Sequence, residues 1–187
     1  MSIEITVYKV TGISSVLMHN PASMVRPTGD ITKKTIPSAE DEAEAATYRL
    51  PNGQLFLKSI AFRSALLAGC RGKRLGKLGA ASQVAAGVFP VEIECPLYHP
   101  TTGKPIHEYV INTTRAVVQK NGVMRSRPEI REWACDVAFE VETDFVTVNQ
   151  VLELFNLGGR VAGVGDWRPE KKGPYGRFNV ELKTKKK

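Results

Sequence analysis

A chain of 187 residues, 42% hydrophobic and 24% charged, with no apolar run near the roughly 20 residues of a membrane helix, excludes a helical membrane protein and points to one soluble globular domain over 1–187. The formal charge is +7, and its distribution says more than its sum. Residues 58–77 carry +6 with no acid, 115–131 carry +4 and 158–187 carry +6, so these three windows hold +16 and the remainder −9. Segregation of that kind suits a polyanionic partner if folding gathers the windows together. The cysteines, Cys70, Cys95 and Cys135, are odd in number and widely spaced, which implies neither a disulfide framework nor a zinc knuckle. The start, MSIEITVYKV, lacks the charged-then-apolar pattern of a secretory signal, so a reducing cytoplasm is the expected compartment.

In chain order, residues 3–13 alternate with the strand period of two, and Ile3, Ile5, Val7 and Val10 are assigned to one face against Glu4, Thr6 and Tyr8 on the other. Residues 18–46 mix Pro21, Pro27, Pro37 and Gly29 with the acidic run from Glu40 to Glu44. They read as a long loop insertion with at most a short helix started by Ser38, and a loop of that length in a compact domain is often functional. Thr47 to Leu57 predicts a hairpin about Pro51-Asn52-Gly53, and Ser59 is expected to cap a helix that runs to Ala68 and ends at Gly69. The basic, glycine-rich CRGKRLGKLGA beyond it reads as mobile. Val88 to Cys95 and Tyr109 to Gln119 predict strands, with Asn121-Gly122 as the hairpin turn into Val123 to Ser126. In 132–143 the alternate residues Trp133, Cys135, Val137, Phe139 and Val141 predict a half-buried strand. Val148, Val151, Leu152 and Phe155 predict a helix over 147–157 stopped by Gly158-Gly159, followed by a last strand over 177–182 and a basic tail over 183–187. The unit from 132 to 182 is β-α-β, and the first strand, the helix at 59–68 and the strand at 88–95 form another. Two such units in one antiparallel sheet predict an α+β, ferredoxin-like fold with helices on one face and the other face open.

The most informative stretch is GGRVAGVGDWRPEKKGPYGRF, residues 158–178, with six glycines: Gly158, Gly159, Gly163, Gly165, Gly173 and Gly176. Glycines let backbone approach a ligand, and exposed amides can cradle phosphate oxygens. Arg160, Arg168, Lys171, Lys172 and Arg177 add charge, and Trp167 and Tyr175 offer flat faces on which unpaired bases stack. Arg63, Arg71, Lys73, Arg74, Arg115, Arg125 and Arg127 from the other basic windows complete the candidate contacts for a single strand. Gly163-Val164-Gly165 follows a helix instead of preceding one and lacks a third glycine, so it is no dinucleotide fingerprint. Gly69 to Arg74 imitates a phosphate loop, but its spacing is short and no Ser or Thr follows the Lys. No metal or cofactor is expected.

A helix entering a glycine-rich loop with interspersed arginines and closing in Gly176-Arg177-Phe178 resembles the loop of the RAMP superfamily, the ferredoxin-like RNA-binding proteins of CRISPR effector complexes. The run from Val16 to Asn20 agrees with that likeness and adds His19 and Asn20 to the candidate contacts. The resemblance implies single-stranded RNA bound along the sheet face and loops by subunits that stack along the strand, with 18–46 as a finger between neighbours. Arg125 to Trp133 and GDWRPEKKGPYGRF are also similar to small proteins of tailed phages, which implies a relative acting alone. Some RAMP proteins cut RNA with a histidine general base. Of His19, His99 and His107, only His19 lies where a loop leaves the first strand near the expected binding face. The leading expectation is a weakly sequence-specific binder of single-stranded nucleic acid, RNA ahead of DNA, that assembles in several copies and does not act as an enzyme. The alternatives are a self-assembling protein that uses its charge asymmetry and an endoribonuclease with His19 as base.

Overall fold

The computed structural model describes residues 2–24, 37–118 and 121–183. Strand β1 (Ile3–Gly12) leads to β2 (Val16–Leu17), helix α1 (Ala39–Ala45), β3 (Phe56–Lys58) and α2 (Ser59–Gly69). A short hairpin, β4 (Arg74–Leu75) and β5 (Leu78–Gly79), precedes α3 (Ala80–Gly87), β6 (Val88–Pro90) and β7 (Glu94–Pro96). The long hairpin β8 (Val110–Val118) and β9 (Asn121–Ile130) is followed by β10 (Ala134–Glu142), α4 (Val148–Val161) and β11 (Phe178–Leu182).

The main sheet has the order β11-β1-β10-β6, every neighbouring pair antiparallel. Helix α2 connects β1 to β6 and α4 connects β10 to β11, so the two β-α-β crossovers interleave in one sheet. That is the α+β ferredoxin-like fold expected from the sequence. Thr147 and Gln150 start α4 with a reciprocal capping box. The helices bury an aromatic cluster against the sheet. Phe155 lies 5.4 to 6.4 Å from the ring centres of Phe62, Phe139, Phe178 and Tyr8, with rings steeply inclined to one another. Trp133, Cys135, Val137, Phe139 and Val141 are all fully buried, as their alternation predicts. The three cysteines are buried and unpaired, and desolvation raises their thiols, Cys70 to about 11 and Cys95 to about 12. Among the described residues no helix is long and apolar enough to cross a membrane.

Several local expectations need correction. In β1 the buried residues are Tyr8 and Val10, while Ile3 and Ile5 are each 58% exposed on the open face of the sheet. The four aliphatics assigned to one face outnumbered Tyr8 in the pattern, but Val10 shares the buried face with Tyr8, whose ring reaches Phe139 and Phe155 under the helices. Ser59 is the first helical residue and makes no cap, with Lys58 in the capping position. The segment expected to be mobile forms the β4–β5 hairpin, its turns using positive φ at Gly72 and Gly76, and α3 follows directly. The strand expected over 88–95 is two strands: β6 stays in the main sheet and β7 leaves to pair with β3. Asn121 and Gly122 pair with Val118 and Val117 inside the ladder and so are not its turn, and residues 119–120 lie outside the described residues. Pro27, Gly29 and the tail beyond Lys183 also lie outside them. Ser38 does cap α1, its hydroxyl accepting from the Asp41 amide.

The helix expected to stop at Gly158-Gly159 continues to Val161, because both glycines serve packing. A Cβ on Gly158 would lie 2.0 Å from the Ala65 carbonyl oxygen in α2, and one on Gly159 would lie 2.5 Å from the Phe178 oxygen. Gly69 makes the reciprocal approach, 2.1 Å from the Leu154 oxygen. Helices α2 and α4 therefore touch backbone to backbone, and this contact fixes where the loop after α4 begins.

Candidate nucleic-acid interface

The loop between α4 and β11 is held by backbone hydrogen bonds, both within itself and to the segment around β2. Val164 N–H donates to Gly176 O (2.9 Å), Gly176 N–H to Ser15 O (2.7 Å), Asp166 N–H to Leu17 O (2.8 Å) and Gly173 N–H to Arg168 O (3.0 Å). A Cβ on Gly173 would sit 1.7 Å from the Trp167 oxygen, and one on Gly176 equally close to the Val164 oxygen. The glycines thus let strands of the loop meet each other. The amides named above point into the protein, so they do not form the phosphate cradle that the glycine count suggests.

What the loop turns outward is Trp167, which is 43% exposed, its ring 5.8 Å from that of Tyr175 at 39°. The Tyr175 hydroxyl accepts from Asn112 Nδ2 (3.1 Å), which joins the loop to β8. Asn112 stands opposite Arg127 in the ladder, and Thr114 opposite Arg125, so these four share one face of the hairpin. Arg127, whose side chain is only 12% exposed, donates through Nε to Asp166 Oδ2 (3.2 Å) and contacts His19 Nε2 through Nη2 (3.4 Å). A guanidinium has donors only, so Nε2 is the lone-pair nitrogen of His19, and Nδ1 carries the hydrogen toward Asp166, 3.6 Å away. Burial first, and Arg127 next, hold the His19 pKa below its ordinary value.

That direction makes a prediction. An unfolded histidine protonates near about 6.5, and His19 in the folded protein does so lower, so acid favours the unfolded chain. The contribution of His19 to stability is complete above about 6.5 and is lost as the pH falls from there through the folded value. An NMR titration of the His19 ring should show the depressed midpoint, and Arg127→Gln should move it upward. A midpoint unmoved by that substitution would exclude Arg127 as a cause.

Two basic windows reach the loop of the third. Arg127 meets Asp166, and Arg71, just beyond α2, meets one oxygen of Glu170 (2.5 Å), whose other oxygen holds Arg168 (2.8 Å). Asp166 and Glu170, both within 158–187, thus engage cations from all three windows: Arg71, Arg127 and Arg168. Lys171, Lys172 and Arg177 are exposed and make no ion pair among the described residues. Other candidates lie elsewhere. Arg63 donates to the Val88 and Ala85 carbonyls and stacks 5.3 Å over Phe89. Lys73 and Arg74 belong to the β4–β5 hairpin beside Gln150 and Glu153 of α4. Arg115 covers Gly122 on the opposite face of the hairpin from Asn112. Arg160 bonds Asn179, and the Asn20 amide ties Thr47 to Ala22. His99 bonds Glu132 in its turn.

A cleft of about 290 Å³ opens between His19, the first turns of α2 and the loop. Met18, Leu57 and Ala61 line it together with Lys58 and Arg168, and the Lys58 ammonium lies 5.1 Å over the Tyr48 ring. The open face of the main sheet is different. Ile5 and Phe89 both flank Glu140 there, and Ile3 stands beside Glu142. Acids outnumber cations on this face, where Lys9 stands between Asp136 and Glu181, so it attracts RNA phosphates less than the hairpin and loop do. Tyr48, Asn112, Glu42 and Asp166 escaped the sequence reading, since their meaning comes from partners far away in the chain. Among the described residues no group of three or more His, Cys, Asp and Glu side chains is placed to hold a metal ion.

No family model and no curated protein matches the chain. Among solved structures it is similar to the crystal structure of Cmr6 from Pyrococcus furiosus, with 10% identity and a TM-score of 0.49 over 97% of this chain and 100% of that one. The strand order β11-β1-β10-β6 and its two interleaved crossovers define the fold.

Proposed function

We propose that the protein binds single-stranded nucleic acid, RNA in preference to DNA, along the junction between the β8–β9 hairpin and the 163–177 loop. The observation that carries this reading is the half-exposed Trp167–Tyr175 pair, bonded through Asn112 to the hairpin face that also bears Arg125 and Arg127. Stacked rings suit bases that have no pairing partner, and cations beside them suit the phosphates between those bases. Sequence preference is weak, because stacking accepts every base. Several copies are proposed to bind along one strand, as subunits of a nucleoprotein assembly.

Lys171 and Lys172 provide the test. With unstructured oligonucleotides, Lys171→Ala and Lys172→Ala should each weaken binding to all sequences alike and reduce the salt dependence by about 0.7 in slope, the value for one phosphate contact on a single strand. Losses confined to one sequence would contradict the reading. The open sheet face favours a second reading, self-assembly, since the exposed Ile3 and Ile5 beside Glu140 and Glu142 could receive a basic surface of another copy. Oligomers of unchanged size after nuclease treatment would favour it.

A further inference from the structure

Glu42 lies in the first turn of the acidic helix α1. Its side chain is 16% exposed, and three donors of β9 converge on it. Arg125 Nη1 donates to Oε1 (3.0 Å), Arg127 Nη1 lies 3.6 Å from the same oxygen, and the Ser126 amide donates to Oε2 (2.9 Å). Two guanidinium groups and one backbone N–H around two oxygens that share a negative charge are the donor set of a phosphodiester site. Helix α1 itself is held by other contacts. Ser38 caps it, and Glu44 pairs with Arg49 (2.9 Å) and accepts from the Tyr109 hydroxyl (2.8 Å). The Glu42 side chain can therefore leave the donors by a change of rotamer while its helix stays in place.

We propose that Arg125, the Ser126 amide and Arg127 form a phosphate-binding site for the single strand, and that the Glu42 carboxylate occupies this site as an internal stand-in until a backbone phosphate displaces it. The site lies on the hairpin that bears the Asn112 link to the Trp167–Tyr175 pair, so the inference rests on the reading of that junction as the binding surface. It adds a competitor, since strand binding must overcome an intramolecular carboxylate.

The experiment compares the full-length protein with Glu42→Gln and Glu42→Gln/Arg125→Ala, using a labelled 20-nucleotide oligouridylate and fluorescence anisotropy over a salt series. Gln keeps the shape and still accepts from Ser126, but removes the competing charge. Glu42→Gln should bind about fivefold more tightly, with a salt slope steeper by about 0.7, and the added Arg125→Ala should abolish the gain. Equal or weaker binding by folded Glu42→Gln overturns the stand-in while leaving RNA binding intact. Absence of binding by every variant, wild type included, overturns both readings. If Glu42→Gln does not fold, Glu42→Asp carries the same test: it keeps an acid in the first turn but is one methylene too short to satisfy all three donors. It should bind more tightly than wild type, and failure to do so counts against the site.

Discussion

Gly158→Ala is expected to destabilise the protein by about 3 kcal/mol, lowering the thermal midpoint by about 6–12 °C for a chain of this size. Two effects oppose each other. Alanine in place of an interior helical glycine favours the helix by about 1 kcal/mol. Against that, the new Cβ would stand 2.0 Å from the Ala65 oxygen and 2.6 Å from its carbonyl carbon. Both are backbone atoms of α2, which no rotamer can move aside. Relief requires α2 and α4 to separate, which opens the layer where Phe62, Leu66, Val151 and Phe155 are fully buried. Overpacking therefore wins. Gly79→Ala is the control, because its Cβ would meet nothing nearer than Ser82 Oγ at 3.8 Å. It should stay within about 1 kcal/mol of wild type. Circular dichroism melts of the two variants decide the matter, and a wild-type midpoint for Gly158→Ala would mean the helices are not in backbone contact.

The same glycine shows what a sequence can reveal. The interleaved β-α-β units were legible because alternation in 132–143 and helical spacing in 148–155 are local signals that tertiary packing then obeys. Gly158-Gly159 was equally visible, but a glycine pair reads the same whether it ends a helix or admits a neighbouring one, and only the position of Ala65 distinguishes the two. Helix α3, AASQVAAG, carries too little apolar contrast to announce a face. In the candidate interface, Trp167, Tyr175, Arg125 and Arg127 stood out by residue type. Their organisation did not, because it depends on Asn112, Asp166 and Glu42, separated from their partners by 63, 39 and 83 residues. A net charge per window includes its acids but does not say which cations they, or acids elsewhere such as Glu42, pair with. Charge windows therefore mark a region of interest without saying which cations remain available to a ligand.

Availability is also what makes Trp167 the position where a substitution should most affect binding. Trp167→Ala is expected to weaken binding of an unstructured oligonucleotide roughly 5- to 150-fold, the loss of one base stacked at about 1–3 kcal/mol. The cost to folding should be small by comparison, because the indole is half exposed and the loop is closed by backbone bonds that do not involve the ring. Trp167→Phe keeps a π face and should retain most of the affinity. Tyr175→Phe keeps its ring but loses the hydroxyl bonded to Asn112, and so separates stacking from the tie to the hairpin. The chain provides its own optical probe, since it has two tryptophans and the other, Trp133, is fully buried with its Nε1–H donating to Ser14 O at 2.9 Å. Emission from the exposed indole should be quenched as an oligonucleotide is added, and the quenching should vanish in Trp167→Ala. Wild-type affinity in Trp167→Ala, or undiminished quenching, would place the bases elsewhere on the protein.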